Sequence, residues 1–449
     1  MEFINLNKPV DSTSIDTIIS DFKSGNVKAG DTVYLKGYIH RIREMSGFAF
    51  VIIRTPSLLV QCIYDENLAD FPLSDICEEA CVIIKGKVVD DERSKLGFEL
   101  HILGVEILSK PAEISPIVIN KKKLDCNIDV NLDNRPISLR NPNERAIFKI
   151  VDGILYAFRT FFHDSEGFTE FIPPKIVEAG TEGGADMFEV DYFGTKAYLN
   201  QSPQAYKQMM VGVFNKVYTV SPVFRAEKHS TNRHINEFCG LDVEMGFINS
   251  FQDLMEVEGR FMVYLFKYLN ENCASELEEL KVTLPEINQI PQVKFTDIKQ
   301  IVAEKYKRKF RDPNDLEPEE ERLIGRYFME EYNSPFVFVT HYPSKKRPFY
   351  AMDDPENPKY TLSFDLLLNG SEITTGGQRI HDYNMQVEKM IARGMNPEDF
   401  SDYLMMHKYG MPPHGGFGLG LERVAMKLLG LDNIRKATAF PRDTGRLRP

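Results

Sequence analysis

Three segments of the chain carry side chains suited to chemistry on phosphates. The first is Phe224-Arg225-Ala226-Glu227, a polar loop, and then Arg233-His234-Ile235-Asn236-Glu237-Phe238. Strand-like residues at 217–223 and 240–247 flank it, which predicts a long-looped hairpin with two arginines and a histidine at its tip. The planar fork of arginine makes bidentate contacts with phosphate or carboxylate, so this tip suits a polyphosphate; the plainer alternative is a solvated charged loop. The second segment is Phe364-Asp365-Leu366-Leu367-Leu368-Asn369-Gly370-Ser371-Glu372-Ile373. Asn-Gly between apolar runs signals a two-residue hairpin, in which Glu372 faces Leu367 and Asp365 is its diagonal neighbour on the same face. Two carboxylates so placed can share Mg²⁺, which takes one or two protein carboxylates and fills its shell with water and phosphate oxygens. The third is Gly415-Gly416-Phe417-Gly418-Leu419-Gly420-Leu421-Glu422-Arg423, a glycine-rich strand opening a helix. Its glycines would allow a ligand close to the backbone, and Arg423 would point from the helix's first turn.

Familiar alternatives are missing from the sequence. There is no G-x-x-x-x-G-K-[ST] loop, no G-x-G-x-x-G after a strand, no H-E-x-x-H, no C-x-x-C and no G-x-S-x-G elbow. An enzyme acting on phosphates would therefore have to hold them with arginines and a metal ion. The length of 449 residues argues for two or three domains with ample core. A composition of 43% hydrophobic and 27% charged residues excludes wholesale disorder and fibrous repeats. No apolar run reaches the roughly 18 residues of a membrane span, no signal-peptide pattern opens the chain, and six scattered cysteines suit a reducing, cytoplasmic setting. The net charge of −12 argues against indiscriminate polyanion binding while leaving room for a local basic groove.

The elements that must position these residues follow from periodicity. Residues 31–110 contain five β-runs, 33–42, 48–54, 58–64, 80–89 and 98–108, with a helix-sized polar stretch between the third and fourth. This suggests an OB-type barrel for single-stranded nucleic acid, with Phe48, Phe50 and His40 as candidate stacking platforms; a spacer barrel is the alternative. Pro111, Pro116, Pro136 and Pro142, with the basic run at Lys121 to Lys123, mark a linker over 111–140. A long amphipathic helix follows, carrying Ile147, Ile150, Val151, Ile154, Leu155, Phe158 and Phe162 and ending by Gly167. Strands and helices then mix without a βαβ repeat, so residues 141–449 read as an α+β domain on an antiparallel sheet. Residues 270–335 read as an acidic, irregular insertion on its outside.

In this order the three segments resemble the signature motifs of class II aminoacyl-tRNA synthetases, with Glu166 to Lys175 resembling the first, dimer-forming motif. An N-terminal OB barrel over 1–110 points to the aspartyl, asparaginyl and lysyl subgroup. The strings Thr181-Glu182-Gly183-Gly184, Gln201 to Gln208, Thr375-Gly376-Gly377-Gln378-Arg379 and Tyr409 to Gly416 look most like the aspartyl family of archaeal and eukaryotic type. The resemblance implies a homodimer that ligates L-aspartate to tRNA through an aspartyl-adenylate, using ATP and Mg²⁺. The barrel would bind the anticodon and the cleft the acceptor end. Asparaginyl synthetases and a non-catalytic, nucleic-acid-binding paralogue remain as alternatives. Lys207 favours aspartate, because asparaginyl relatives generally lack that lysine and neutral asparagine would leave buried cationic donors unpaired.

What the resemblance implies for single residues is equally specific. Glu182 would hold the substrate ammonium, and Gln204, Ala205, Tyr206, Lys207, Arg225, Thr375 and Arg379 would surround the aspartate. Arg225, with Ala226 and Glu227, would bridge the substrate carboxylate to the ATP α-phosphate and adenine. Phe238 would stack on the base, with Ile235 beside it, and Arg233, His234 and Arg423, on the Gly420-Leu421-Glu422-Arg423 segment, would bind the bent triphosphate. Glu372, Asp365 and Thr375 would hold Mg²⁺; relatives commonly carry Ser where Thr375 stands. Two barrel residues bear on tRNA choice. His40 resembles enzymes charging both the aspartate and the asparagine tRNA, whereas Lys95 resembles the strict type; the reading taken here is relaxed specificity.

Overall fold

The computed structural model describes residues 10–178, 186–228 and 231–449. It divides into two compact units, up to Asp125 and from Cys126 onward. The first is a closed five-stranded barrel of β1 (Thr32–Glu44), β2 (Phe48–Arg54), β3 (Leu59–Asp65), β4 (Cys81–Asp90) and β5 (Phe98–Ser109), in the order β1-β2-β3-β5-β4 with β4 returning to β1. Alternation drives it: Val33 and Leu35 point inward from β1, and Ala49, Val51 and Ile53 from β2, to share one apolar interior. Between β3 and β4 the expected helix is only a single 3₁₀ turn, Leu73–Asp75. His40 departs from its expected place on the surface. A bulge between Ile39 and Arg41 leaves His40 as the extra residue, and Ile39 and His40 are consecutively buried. The His40 ring takes a 3.2 Å bond from Arg54, which forks onto Glu79 at 2.7 and 2.9 Å. Phe48 and Phe50 do share the outward face of β2, as an edge-to-face pair 5.3 Å apart.

The second unit opens earlier than the composition of the linker suggests. Residues 128–138 are helical, and buried Arg135 ties them to the carbonyls of Ala439 and Thr438 and to Glu144. A short strand β6 (Thr169–Glu170) precedes a separate small sheet of β7 (Ile176–Val177), β8 (Glu189–Tyr192) and β9 (Thr195–Leu199). The main sheet then grows from β10 (Lys216–Phe224), β11 (Glu237–Gly246), β12 (Gln292–Lys294), β13 (Phe336–Thr340), β14 (Ser363–Leu368), β15 (Glu372–Arg379) and β16 (His414–Gly420), ordered β12-β13-β14-β15-β16-β11-β10-β6. Its central ladders, from β13 to β10, are all antiparallel. The long helix expected after the linker is Pro142–Thr160, capped by Asn141. With the helix Gln252–Asn272 it buries an aromatic core against the sheet, centred on Phe158, Phe162, Phe261 and Phe417. No helix among the described residues is long and apolar enough to cross a membrane.

The segment 270–335 is not irregular. It folds into helices Ala274–Leu280, Phe295–Tyr306 and Pro318–Tyr332, and β12 extends the main sheet through parallel pairing with β13. Phe295, Ile298, Val302, Ile324 and Phe328 close a separate core on Val337, Val339 and Leu367. High acidity hid this because charges such as Glu319 and Glu330 sit on outward helix faces, where they pair with Arg322 and Arg326 along the helix.

Candidate active site

One cavity of about 370 Å³ gathers most of the chemistry-bearing residues. From the β10–β11 loop it is lined by Arg225, Glu227, Arg233, His234 and Ile235, from the start of β11 by Phe238, from β15 by Glu372, Thr375 and Arg379, and from β16 and the next helix by Gly420, Glu422 and Arg423. Gln204 and Lys207 reach it from the helix Gln204–Phe214. Ala205, Tyr206, Ala226, Leu421 and Asp365 lie outside its walls. Glu182, with the string Thr181 to Gly184, lies outside the described residues, and His40 and Lys95 belong to the barrel unit.

The β10–β11 ladder runs from Lys216↔Met245 to Phe224↔Glu237, so Arg225 is the first residue to leave it. Its backbone stays fixed: its N–H donates to Asn236 O at 2.8 Å, and its carbonyl accepts from the Asn236 side chain at 2.7 Å. The guanidinium lies 5.2 Å from the centre of the Phe238 ring and 3.9 Å from Glu227. Arg423 leaves the first turn of the helix Leu421–Leu428 and donates to the carboxylate of Glu372 at 3.2 Å, while Arg233 is 3.6 Å from Glu321. Each phosphate-type arginine thus has a carboxylate beside it. The adjacent Glu422 turns to the protein instead, accepting the Cys239 N–H, and burial pushes its carboxyl up to about 7 against that bond.

The β14–β15 hairpin forms with Glu372 opposite Leu367 as expected at the turn, but a bulge beyond it shifts the register by one residue and sets Asp365 opposite Thr375. Asn369 and Gly370 both take positive φ, 48° and 67°, as a two-residue primed turn requires. Glu372 is open to the cavity and accepts from the Thr375 hydroxyl at 3.2 Å. Asp365 is buried and bonded to Arg347 at 2.7 Å; burial and the Glu372 charge push its carboxyl up to about 6 despite that arginine. The donors suit a hard divalent cation, with Glu372 as the exposed carboxylate, Thr375 beside it and Asp365 behind. Among the described residues no group of three or more Asp, Glu, His or Cys could enclose a metal. A cation bound at Glu372 would complete its shell with ligand oxygens and water.

At the other end of the cavity lies a buried set of four charges. Lys207 Nζ donates to Asp242 at 2.9 Å and to the carbonyl of Phe417 at 3.1 Å, and lies 3.3 Å from Glu244. Arg379 binds Glu244 at 2.8 Å, the Gly416 carbonyl at 2.9 Å and Gln204 Oε1 at 3.4 Å. Burial alone would raise Glu244, but Arg379 and Lys207 outweigh it and hold the carboxyl below its ordinary value. The glycines of β16 serve this set more than they serve a ligand. Gly416 and Gly418 face Glu244 and Asp242 across the ladder, where a Cβ would strike the carboxylates. Beside Arg379, Gln204 Nε2 is a buried donor with no hydrogen-bond partner in the structure, the signature of a place where a ligand acceptor belongs.

Sequence reasoning missed Asp242, Glu244 and Arg347. Asp242 and Glu244 alternate with apolar residues in a strand-like run, Leu241-Asp242-Val243-Glu244, an outward-facing pattern in an isolated sheet. Arg347 stands in a loop, 4.0 Å over the ring of Tyr342, and its only signal is an arginine beside Pro348-Phe349-Tyr350.

The chain thus combines an antiparallel sheet ending in arginine-bearing loops with a closed five-stranded barrel, features suited to a nucleotide-using enzyme that handles nucleic acid. The family model for class II tRNA synthetases of the D, K and N group matches residues 127–444, and that for the OB-fold nucleic-acid-binding anticodon domain matches 33–108. The chain belongs to the class II aminoacyl-tRNA synthetases of that group, ligases that use ATP and act on an amino acid and a tRNA. It is 44% identical to an aspartate–tRNA(Asp/Asn) ligase of Deinococcus radiodurans, over 94% of this chain and 96% of that one. To a ligase of the same name from Thermus thermophilus it is 42% identical, over 96% and 99%. Its fold matches asparaginyl-tRNA synthetase of Pyrococcus horikoshii, complexed with asparaginyl-adenylate, with a TM-score of 0.88 at 30% identity over 98% and 100% of the two chains.

Proposed function

We propose that this protein activates L-aspartate with ATP and transfers it to tRNA. The observation that carries this reading is a single cavity with two ends of different chemistry: arginines and Glu372 at one, and Arg379, Lys207 and the unpartnered amide of Gln204 at the other. The first end suits a triphosphate, held by Arg225, Arg233, His234 and Arg423, with adenine near Phe238, Ile235 and Glu227. The second suits a short acidic side chain. There the three protons of Lys207 are committed inside the protein, so Arg379 and Gln204 make the direct contacts and Lys207 holds the charge balance. Ala205 and Tyr206 belong to the helix that presents them, and Glu182 is assigned the substrate ammonium by motif.

Activation is an in-line displacement at the α-phosphorus. The aspartate α-carboxylate attacks, the bond to the bridging oxygen of the leaving group breaks, and pyrophosphate departs. Arg225 balances charge on the α-phosphate while the loop hydrogen bonds of Asn236 keep it oriented. A ribose hydroxyl at the tRNA 3′ end then attacks the aspartyl carbonyl of the adenylate, the mixed-anhydride bond breaks, and AMP leaves. Mg²⁺, held by Glu372 with Thr375 and Asp365, would supply charge neutralisation on the phosphates.

Residues up to 110 act as the anticodon-reading barrel, through the outward pair Phe48 and Phe50, and 111–140 include the hinge. The enzyme works as a homodimer in the cytoplasm. Exposed Tyr156 and Ile172, around the first signature motif, support the dimer, and six cysteines scattered along the chain suit that compartment. It charges both the aspartate and the asparagine tRNA, as His40 and the names of the two relatives above suggest. The fold match to an asparaginyl enzyme carries the second reading, activation of asparagine. Amino-acid-dependent ATP–pyrophosphate exchange separates the two. Aspartate should support exchange, asparagine should not, and Arg225→Ala should abolish it while leaving the thermal unfolding transition in place. Near-normal exchange by that variant would sink the assignment.

A further inference from the structure

The helix Pro318–Tyr332 belongs to the segment that the sequence assigns to the outside of the catalytic domain, yet it touches the hairpin carrying Glu372. Gly325 lies so close to the Gly370 backbone that a Cβ there would overlap it, and a Cβ on Gly370 would come within 2.9 Å of the Glu321 carbonyl. Backbone meets backbone at this crossing, so neither the helix nor the hairpin turn has room there for a side chain between them. From this helix Glu321 points toward the triphosphate end of the cavity. Its side chain is 14% exposed and lies 3.6 Å from Arg233 Nη1. Its carboxylate lies near the backbone N–H of Glu372 and in the field of Arg423, while Lys427 feels its charge in turn. The other acids of this helix pair elsewhere: Glu319 and Glu330 along the helix, Glu320 with Lys299 and Glu331 with Lys305.

We propose that Glu321 is a positioning residue for the activation step: it holds Arg233 and the Glu372 backbone in the arrangement that receives the ATP triphosphate. The outer segment is then a working part of the nucleotide site. Glu321 acts through Arg233 and touches no reacting atom. The inference rests on the reading that Arg233 binds ATP.

The test uses the full-length enzyme in aspartate-dependent ATP–pyrophosphate exchange, with Glu321→Gln, Glu321→Asp, Arg233→Ala and the Glu321→Gln/Arg233→Ala double variant. Glu321→Gln should raise KM for ATP about tenfold, the lower end of what losing an outer-shell partner costs. KM for aspartate should stay within about twofold, since neighbours of the other end are untouched. Glu321→Asp keeps the charge and should recover part of the loss. In the double variant the glutamine should add nothing to Arg233→Ala, because the two act on one path. An unchanged or lowered KM for ATP in Glu321→Gln, with Arg233→Ala defective, overturns the proposal and leaves the ATP site intact. So does a Glu321→Gln variant that melts early and loses kcat alone, which marks a purely structural role. Normal KM for ATP in Arg233→Ala removes the ATP-site reading and this proposal with it.

Discussion

Glu258 offers the sharpest check on the energetics of the sheet that carries the site. It lies on the helix Gln252–Asn272, fully buried behind β15, and neither carboxylate oxygen has a well-formed hydrogen bond; the Thr374 hydroxyl beside it is equally unbonded. Burial dominates and outweighs the opposing Thr374 hydroxyl, with a smaller push from the Asp365 charge in the same direction as burial, so the carboxyl is pushed up to about 8. The unfolded chain ionises near 4.5. Between these values the folded protein holds a proton that the unfolded chain has released, so stability falls as pH rises, by about 1.4 kcal/mol per pH unit from this group. The contribution is complete below pH 4.5 and gone once pH passes 8, a span of roughly 5 kcal/mol at most. Glu258→Gln copies the protonated acid and cannot ionise. Its stability relative to the unchanged protein should therefore climb steadily across this window and level off above it. Urea unfolding at a series of pH values from 5.5 to 9 reads the difference directly, and other raised acids such as Glu422 cancel because both proteins share them. A difference that stays flat with pH would mean Glu258 is ionised or solvated in the folded state, and the burial argument would fail.

Lys207→Met should disable aspartate-dependent exchange and also destabilise the fold by about 3–5 kcal/mol, because Asp242 and part of Glu244 lose a buried counter-charge; denaturant unfolding beside the exchange assay checks both. Charging purified aspartate and asparagine tRNA transcripts side by side should give comparable rates, and a large preference for the aspartate tRNA would refute relaxed specificity. His40→Ala should shift that ratio only by disturbing Arg54 and Glu79, since the imidazole itself is buried.

How far the sequence carries is set by the range of the interactions that hold each part. The hairpin of Asp365 and Glu372 is legible because the Asn369-Gly370 turn fixes its register locally, so Glu372 pairs with Leu367 as expected, while the bulge that shifts Asp365 by one residue leaves no signal in the turn. The barrel strands are legible for a similar reason: alternation needs only its own strand. His40 is misplaced where that local rule breaks, at one bulge that turns two consecutive residues inward. The four-charge set is illegible because its partners are far apart in the chain, Lys207 with Asp242 and Arg379 with Glu244, and because a buried carboxylate on a strand reads as a solvated one until its cation is known. The same distance hides Glu321, which stands out only once the helix Pro318–Tyr332 is seen to cross the turn at Gly370. Arginines suggest a phosphate site from sequence alone, whereas the acids beside those arginines become visible only in three dimensions. Variants of Asp242, Glu244 and Glu321 therefore test the structural reading more severely than variants of the arginines, which sequence motif alone would have nominated.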